Sequence, residues 1–141
     1  MRYHFNVYRE DNSYWADGIE LPGCQTQADT KEELVEQLID VLNLYLDEPA
    51  GTNMVFPLPD YSLESKSEIL SISVDSKIAF SILMRQYRIS HRMSQKQAME
   101  SMGLRNRNSY ARLEVKCNPS FETVNKVRQA FPDFPIFECF S

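Results

Sequence analysis

The sequence is poor in the residues that build metal centres and nucleophilic sites. It holds two histidines and three cysteines in 141 residues. His4 and His91 stand alone, with no Ser, Cys or second His at a useful spacing, so neither marks a nucleophile and its base. Both read as structural or surface residues. Cys24, Cys117 and Cys139 are odd in number and have no metal-ligand spacing. Free thiols in a reducing cytoplasm are the expectation, with no metal and no cofactor. No apolar run approaches the roughly 20 residues of a membrane helix. No secretory signal pattern is read either, so the expected location is cytoplasmic and away from membranes.

Charge is plentiful but divided. Residues 1–75 carry 4 Lys/Arg against 15 Asp/Glu, a net of −11; residues 76–141 carry 11 against 5, a net of +6, and together they give −5. An acidic half followed by a basic half suggests two partners of opposite sign. A basic protein suits the first and nucleic acid the second. Two domains are read accordingly, 1–75 and 76–141, with an abrupt boundary near 75–77. Each has about 70 residues, a size that folds alone only marginally, so a homodimer or higher oligomer is expected.

In the acidic half, Tyr3, Phe5 and Val7 alternate with His4, Asn6 and Tyr8, the period of a half-buried strand. Glu10-Asp11-Asn12-Ser13 has hairpin-turn composition, and a second strand follows at Tyr14–Ile19. Leu21-Pro22-Gly23-Cys24 breaks it before a third short strand over Cys24–Gln27. Thr30 with Glu33 forms a capping box for a helix from Lys31 to about Asp47. That helix turns Leu34, Leu38, Val41/Leu42 and Tyr45 inward and Glu32, Glu33, Glu36 and Asp40 outward. Prolines 49, 57 and 59 and Gly51 forbid a long helix over 48–65. Ser67–Asp75 alternates again and reads as a fourth strand completing an antiparallel sheet.

In the basic half, Ser76 caps a helix to about Arg88 with Ile78, Ala79, Ile82 and Leu83 inward. Ser94 and Gln97 form a second capping box, and Met99 and Met102 supply an apolar stripe. Gly103 sits where a left-handed C-cap is needed. A further helix starts near Asn106, turns Tyr110 and Leu113 inward, and leaves Arg107, Asn108, Ser109 and Arg112 outward. That outward set is cationic and hydrogen-bonding, which suits a DNA major groove; an ordinary solvated helical hairpin is the alternative. Ser94 and Gln95 are candidates for phosphate contact, as are Arg105, Lys116 and Asn118. Asn106 completes the DNA-binding set. Ser120 caps a last helix carrying Phe121, Val124, Val127 and Phe131 inward, and the apolar tail Phe131–Phe140 packs on a second subunit or on its own domain.

The run Gly18–Leu34 (GIELPGCQTQADTKEEL), after the strand RYHFNVY, resembles the HicB antitoxin family. Asp29-Thr30 and Glu32-Glu33 stand at the family's D-T step and Glu-rich helix, with Ala28 in place of the usual glycine. The basic half is similar to the Cro/repressor-like (Xre) helix-turn-helix group through Ser94-Gln95, Gly103-Leu104, Glu114 and Asn118-Pro119. One extra residue lies between Gly103 and Glu114, which leaves open whether Arg107 or Asn108 leads the recognition helix. Together the two resemblances span nearly the whole chain.

The resemblance implies an α+β protein. Its N-terminal domain would be a truncated ribonuclease-H-like antiparallel sheet with one helix, and its C-terminal domain an all-α helix-turn-helix. It implies an antitoxin, not an enzyme, that neutralises a small basic ribonuclease toxin of the HicA type and represses its own operon. The candidate toxin contacts are Glu10, Asp11, Tyr14, Trp15, Glu32, Glu33, Glu36 and Asp40. Trp15 is either an interface anchor or a core residue of the sheet. A stand-alone regulator whose N-terminal domain senses a small ligand is the alternative. A nuclease built on Asp11, Asp17, Glu20 and Asp29 is a weaker third. A homodimer presenting two recognition helices roughly 34 Å apart on a palindromic operator is expected.

Overall fold

The structure, a computed structural model, describes residues 1–141 and is of mixed α+β class. It divides into two compact units: Met1–Leu46 with Phe56–Asp75 and Ser141, and Asp47–Val55 with Ser76–Phe140. The segment 47–55 therefore belongs to the helical unit and not to the sheet, unlike the 1–75 span read from the sequence. A physical reason is local: Arg88 Nη2 donates to Asn53 Oδ1 at 3.1 Å. With Asp47 and Glu48 moved, the sheet unit carries 4 Lys/Arg against 13 Asp/Glu, net −9, and the helical unit 11 against 7, net +4. The opposition of sign survives.

The sheet unit has four antiparallel strands: β1 (Arg2–Glu10), β2 (Ser13–Gly18), β3 (Gln25–Ala28) and β4 (Ile69–Ser73), in the order β3-β2-β1-β4. β1 and β2 are joined by the two-residue turn Asp11-Asn12, with Asp11 at φ 52°. Short polar side chains tolerate that conformation, which matches the twist of a tight hairpin. At the end of β2, Gly18 N donates to Cys24 O at 2.8 Å, and a Cβ on Gly18 would sit 2.8 Å from Leu21 O. Only glycine lets the Leu21–Cys24 turn close this tightly before β3.

Helix α1 (Lys31–Leu46) covers one sheet face. Thr30 Oγ1 accepts from Glu33 N at 3.2 Å, the capping bond expected of that pair. Leu34, Leu38, Leu42 and Leu46 are buried at four-residue spacing, with Tyr3, Phe5, Ala16 and Ala28 also in the core. Leu46, not Tyr45, continues the stripe. Tyr45 is half-buried and its hydroxyl donates to Pro22 O at 2.8 Å.

The other sheet face is not simply solvated. His4, on that face, is fully buried. Its Nδ1 lies 2.7 Å from Glu20 Oε2 and its Nε2 3.2 Å from Glu64 Oε1, and Tyr61 packs edge-on against its ring. Glu64 comes from a short 3-10 helix, Tyr61–Ser65, capped by Asp60. The proline-containing stretch thus ends in a second layer over β1; earlier in the same stretch, on the helix-covered side, the Tyr3 hydroxyl donates to Pro57 O at 2.7 Å. Hydrogen bonds from Arg2 and His4 hold the Glu64 carboxyl well below its ordinary value, at about 2.

The helical unit contains α2 (Ser76–Ser90), α3 (Gln95–Ser101), α4 (Arg107–Ala111) and α5 (Phe121–Ala130), with 3-10 turns at Arg112–Glu114 and Ile136–Phe140. α2 is its spine: Ile78, Ala79, Ile82 and Leu83 are buried, and so are Phe80, Met84, Arg85 and Arg88. Ala98, Met102, Tyr110, Leu113 and Val127 complete the core. The C-terminal tail divides. Phe131 and Phe134 are buried against Tyr87, and Phe134 also meets Phe80, so this part packs on its own unit. Phe137 and Phe140 remain exposed. Phe121 is 91% exposed, correcting its placement on the inward face of α5. It is the first residue of the helix, a turn before the half-buried Val124, and its ring projects past the core. No helix is long and apolar enough to cross a membrane.

Candidate nucleic-acid and partner-binding surfaces

The α3–turn–α4 segment is fixed by its own caps. Ser94 Oγ accepts from Gln97 N at 3.0 Å, and Gln97 Oε1 accepts from Ser94 N at 2.8 Å. Gly103, at φ 69°, lets its own N–H reach Glu100 O and lets Leu104 N reach Met99 O at 3.0 Å. The chain then leaves α3 sharply. Asn106 caps α4 by accepting from Ser109 N at 2.9 Å and from Ser109 Oγ at 3.0 Å. Arg107 is consequently the first helical residue and Asn108 the second, and both are exposed.

These caps reshape the set of ten residues read for DNA. Arg107, Asn108 and Arg112 are exposed near one another in sequence, with Arg105 exposed in the turn before them. Ser94, Asn106 and Ser109 already use their side chains in caps. α4 is five residues long, and Arg112 is its C-cap, where the chain tightens into a 3-10 turn. Lys116 and Asn118 are exposed in the loop that follows. Asn118 lines a groove with Phe80 and Phe121, whereas Ser94, Gln95 and Arg107 line a different one.

Behind this face lies an ion pair that the periodicity of the sequence did not reveal. Arg88 Nε donates to Glu114 Oε2 at 2.6 Å and Arg88 Nη2 to Glu114 Oε1 at 2.9 Å, with both side chains buried. Arg88 Nη1 reaches Met93 O at 3.2 Å, and Arg85 Nη2 donates to Glu114 O. The buried Arg88 guanidinium thus ties α2 to the Glu114 carboxylate at the end of the α4 turn and to the carbonyl of Met93, next to the Ser94 cap of α3. Its hydrogen bonds to Arg88 raise that guanidinium's pKa, and burial followed by the nearby Glu114 charge pushes the Tyr110 phenol upward. The available signal was Arg85, three residues after Ile82 on the inward side of the helix, Arg88 one turn further on, and a glutamate directly after inward-facing Leu113.

On the sheet unit the eight residues read for a protein partner do not form one patch. Glu32, Glu33, Glu36 and Asp40 are exposed on α1, on the side of the helix away from the sheet. Glu10 and Asp11 are exposed at the β1–β2 hairpin tip. Tyr14 and Trp15 are adjacent in β2 and so point to opposite faces. Tyr14 shares the helix-covered face with buried Ala16, and the Arg9 guanidinium lies 5.6 Å from its ring centre. Trp15 is half-buried on the other face, stacked on its cross-strand neighbour Tyr8 at 4.1 Å between ring centres. The pair therefore cannot form a single anchor. Trp15 borders a shallow groove of about 450 Å³ with Glu10, Gln25, Thr26 and Gln27.

The carboxylates considered for metal chemistry are scattered. Asp11 is at the hairpin tip and Asp29 is exposed ahead of α1. Glu20 is committed to His4 and to Asp60 N. Asp17 lies in β2, one of its oxygens buried without a partner. No group of three or more His, Cys, Asp or Glu is placed to share a metal ion. Compared with known proteins, the chain matches no family model and no curated sequence.

Proposed function

We propose that the chain is a two-headed binding protein of HicB type: an antitoxin whose sheet unit neutralises a small basic ribonuclease and whose helical unit binds the operator of its own operon. The observation that carries this reading is the opposition of charge between two units, each with its own core, at −9 and +4. A ribonuclease needs a cationic surface for phosphates, and an acidic domain can cover that surface and steer association. The exposed trio Arg107, Asn108 and Arg112, following a glycine turn, supports reading α3 and α4 as a helix-turn-helix with α4 in the major groove. The sheet with its single long helix supports reading this unit as truncated ribonuclease-H-like. Exposed Phe121, Phe137 and Phe140 supply apolar surface for a homodimer, which would present two recognition helices to a palindromic site. The cytoplasm is the compartment proposed.

The reading is tested by gel shift on the DNA upstream of the gene. Arg107→Ala and Arg112→Ala should each weaken operator binding while leaving capture of the toxin intact. Unchanged shifts for both variants would show that the assigned face is wrong. The groove beside Trp15 favours a second reading, a regulator that senses a small ligand there. Quenching of Trp15 fluorescence by a metabolite pool, with no protein partner, would favour it.

A further inference from the structure

The segment Asp47–Val55 contributes a wall to the groove that contains Gln95, Lys96 and Arg107. This groove is about 470 Å³, and Gly51, Asn53 and Arg88 complete it. No carboxylate borders it. It holds two free cations: the exposed Lys96 ammonium and Arg107 guanidinium have no ion-pair or hydrogen-bond partner, and the Gln95 amide beside them can turn its own donors inward. Arg88 is not available, since Glu114, Met93 O and Asn53 occupy its guanidinium.

The orientation of Asn53 follows from chemistry. A guanidinium offers donors and no acceptor, so Asn53 must turn Oδ1 toward Arg88. Its Nδ2 is left with two donors and no partner, on a residue that lines the groove. The groove therefore gathers an ammonium, a guanidinium and a fixed amide donor around one space. Such a set matches a phosphodiester, whose oxygens only accept and carry negative charge.

We infer that this groove seats a backbone phosphate of the bound DNA, and that Asn53, from the segment between the sheet helix and the Tyr61–Ser65 turn, is one of its donors. The inference rests on the DNA-binding reading of α4 and extends the face beyond the two helices. Arg88 acts here as a positioning residue, holding Asn53 by its oxygen. The contact is independent of base sequence, so it sets affinity and register and not the choice of operator.

Asn53→Asp is the discriminating variant. The carboxylate can still accept from Arg88, so the fold is kept, but the donors are lost and a negative charge enters the groove. Binding to operator and to unrelated duplex should weaken together, by roughly tenfold at 0.1 M salt, with an unchanged thermal transition. Lys96→Ala should lower the salt slope of log K by about 1. If the wild type shifts the operator and Asn108→Ala or Arg112→Ala abolishes that shift, yet Asn53→Asp binds like the wild type, the phosphate seat is refuted and the DNA reading stands. A wild type that binds no duplex at low salt overturns the DNA reading and this inference with it.

Discussion

Arg88 and Glu114 meet in a buried two-pronged ion pair, at 2.6 and 2.9 Å, 26 residues apart in sequence. Around it the helical unit is organised. Glu114 follows α4, Arg88 lies in the last turn of α2, and Arg88 also holds the carbonyl of Met93 just before the α3 cap. The geometry of the α3–turn–α4 face thus depends on a buried, paired charge.

Removing one partner leaves the other charge buried and unpaired. Glu114→Leu should destabilise the helical unit by about 3–5 kcal/mol. Arg88→Met should cost a similar amount, and the double variant Arg88→Met/Glu114→Leu less than the sum. Urea unfolding of the four proteins checks this. Additive losses would mean that the two side chains do not depend on each other.

A different charge contributes to the acid sensitivity of the sheet unit. Glu64 has its carboxyl held at about 2, against an ordinary 4.5, by hydrogen bonds from Arg2 and His4. A depressed folded value contributes stability above the unfolded value, and that contribution is lost as pH falls from about 4.5 toward about 2. Melting temperature should therefore drop through this window in the wild type and drop less steeply in Glu64→Gln. Parallel curves for the two proteins would remove Glu64 from the account.

The three thiols should separate by reactivity. Burial raises Cys24 and Cys139 to about 11, and both are buried, while Cys117 is only half-buried and raised to a lesser degree. A rise of about two units cuts the thiolate fraction roughly a hundredfold at pH 8. Alkylation of the folded protein followed by peptide mass mapping should find Cys117 labelled first. Equal labelling of all three without denaturant would contradict the packing of both cores.

Much of this architecture was legible in the chain. Alternation marked β1 and β4, the Thr30 and Ser94 boxes marked α1 and α3, and Gly103 marked the turn, because each is a local rule with a local cause. What escaped was set by distant partners. The period-two pattern put His4 on a polar face, but Glu20 and Glu64 cover it from 16 and 60 residues away. The change from the Ser67–Asp75 strand to the Ser76 helix, together with charge, grouped Asp47–Val55 with the acidic half, whereas Arg88 holds it in the helical unit. On the candidate sites, exposure of Arg107, Asn108 and Arg112 followed the helical reading. The short length of α4 and the division of Tyr14 from Trp15 across the sheet did not, since both depend on where an element ends or which face a neighbour covers.

That division makes the partner surface testable. The α1 acids and Trp15 lie on opposite sides of the sheet, so a small partner gripping one face leaves the other free. Trp15→Ala should slow nothing in encounter but raise the dissociation rate if the Tyr8–Trp15 face is gripped, costing about 2 kcal/mol or more. Glu32→Lys/Glu36→Lys should lower the association rate and flatten its salt dependence if α1 is the contact. Stopped-flow binding with both variants assigns the face. Loss of neither rate would exclude both.

The central claim is neutralisation of a basic ribonuclease, and co-expression with the small reading frame adjacent to the gene tests it most directly. The neighbouring product alone should arrest growth, the full chain should restore it, and the two proteins should copurify as a stable complex. An adjacent product that is neither toxic nor retained by this chain at micromolar concentration would contradict it.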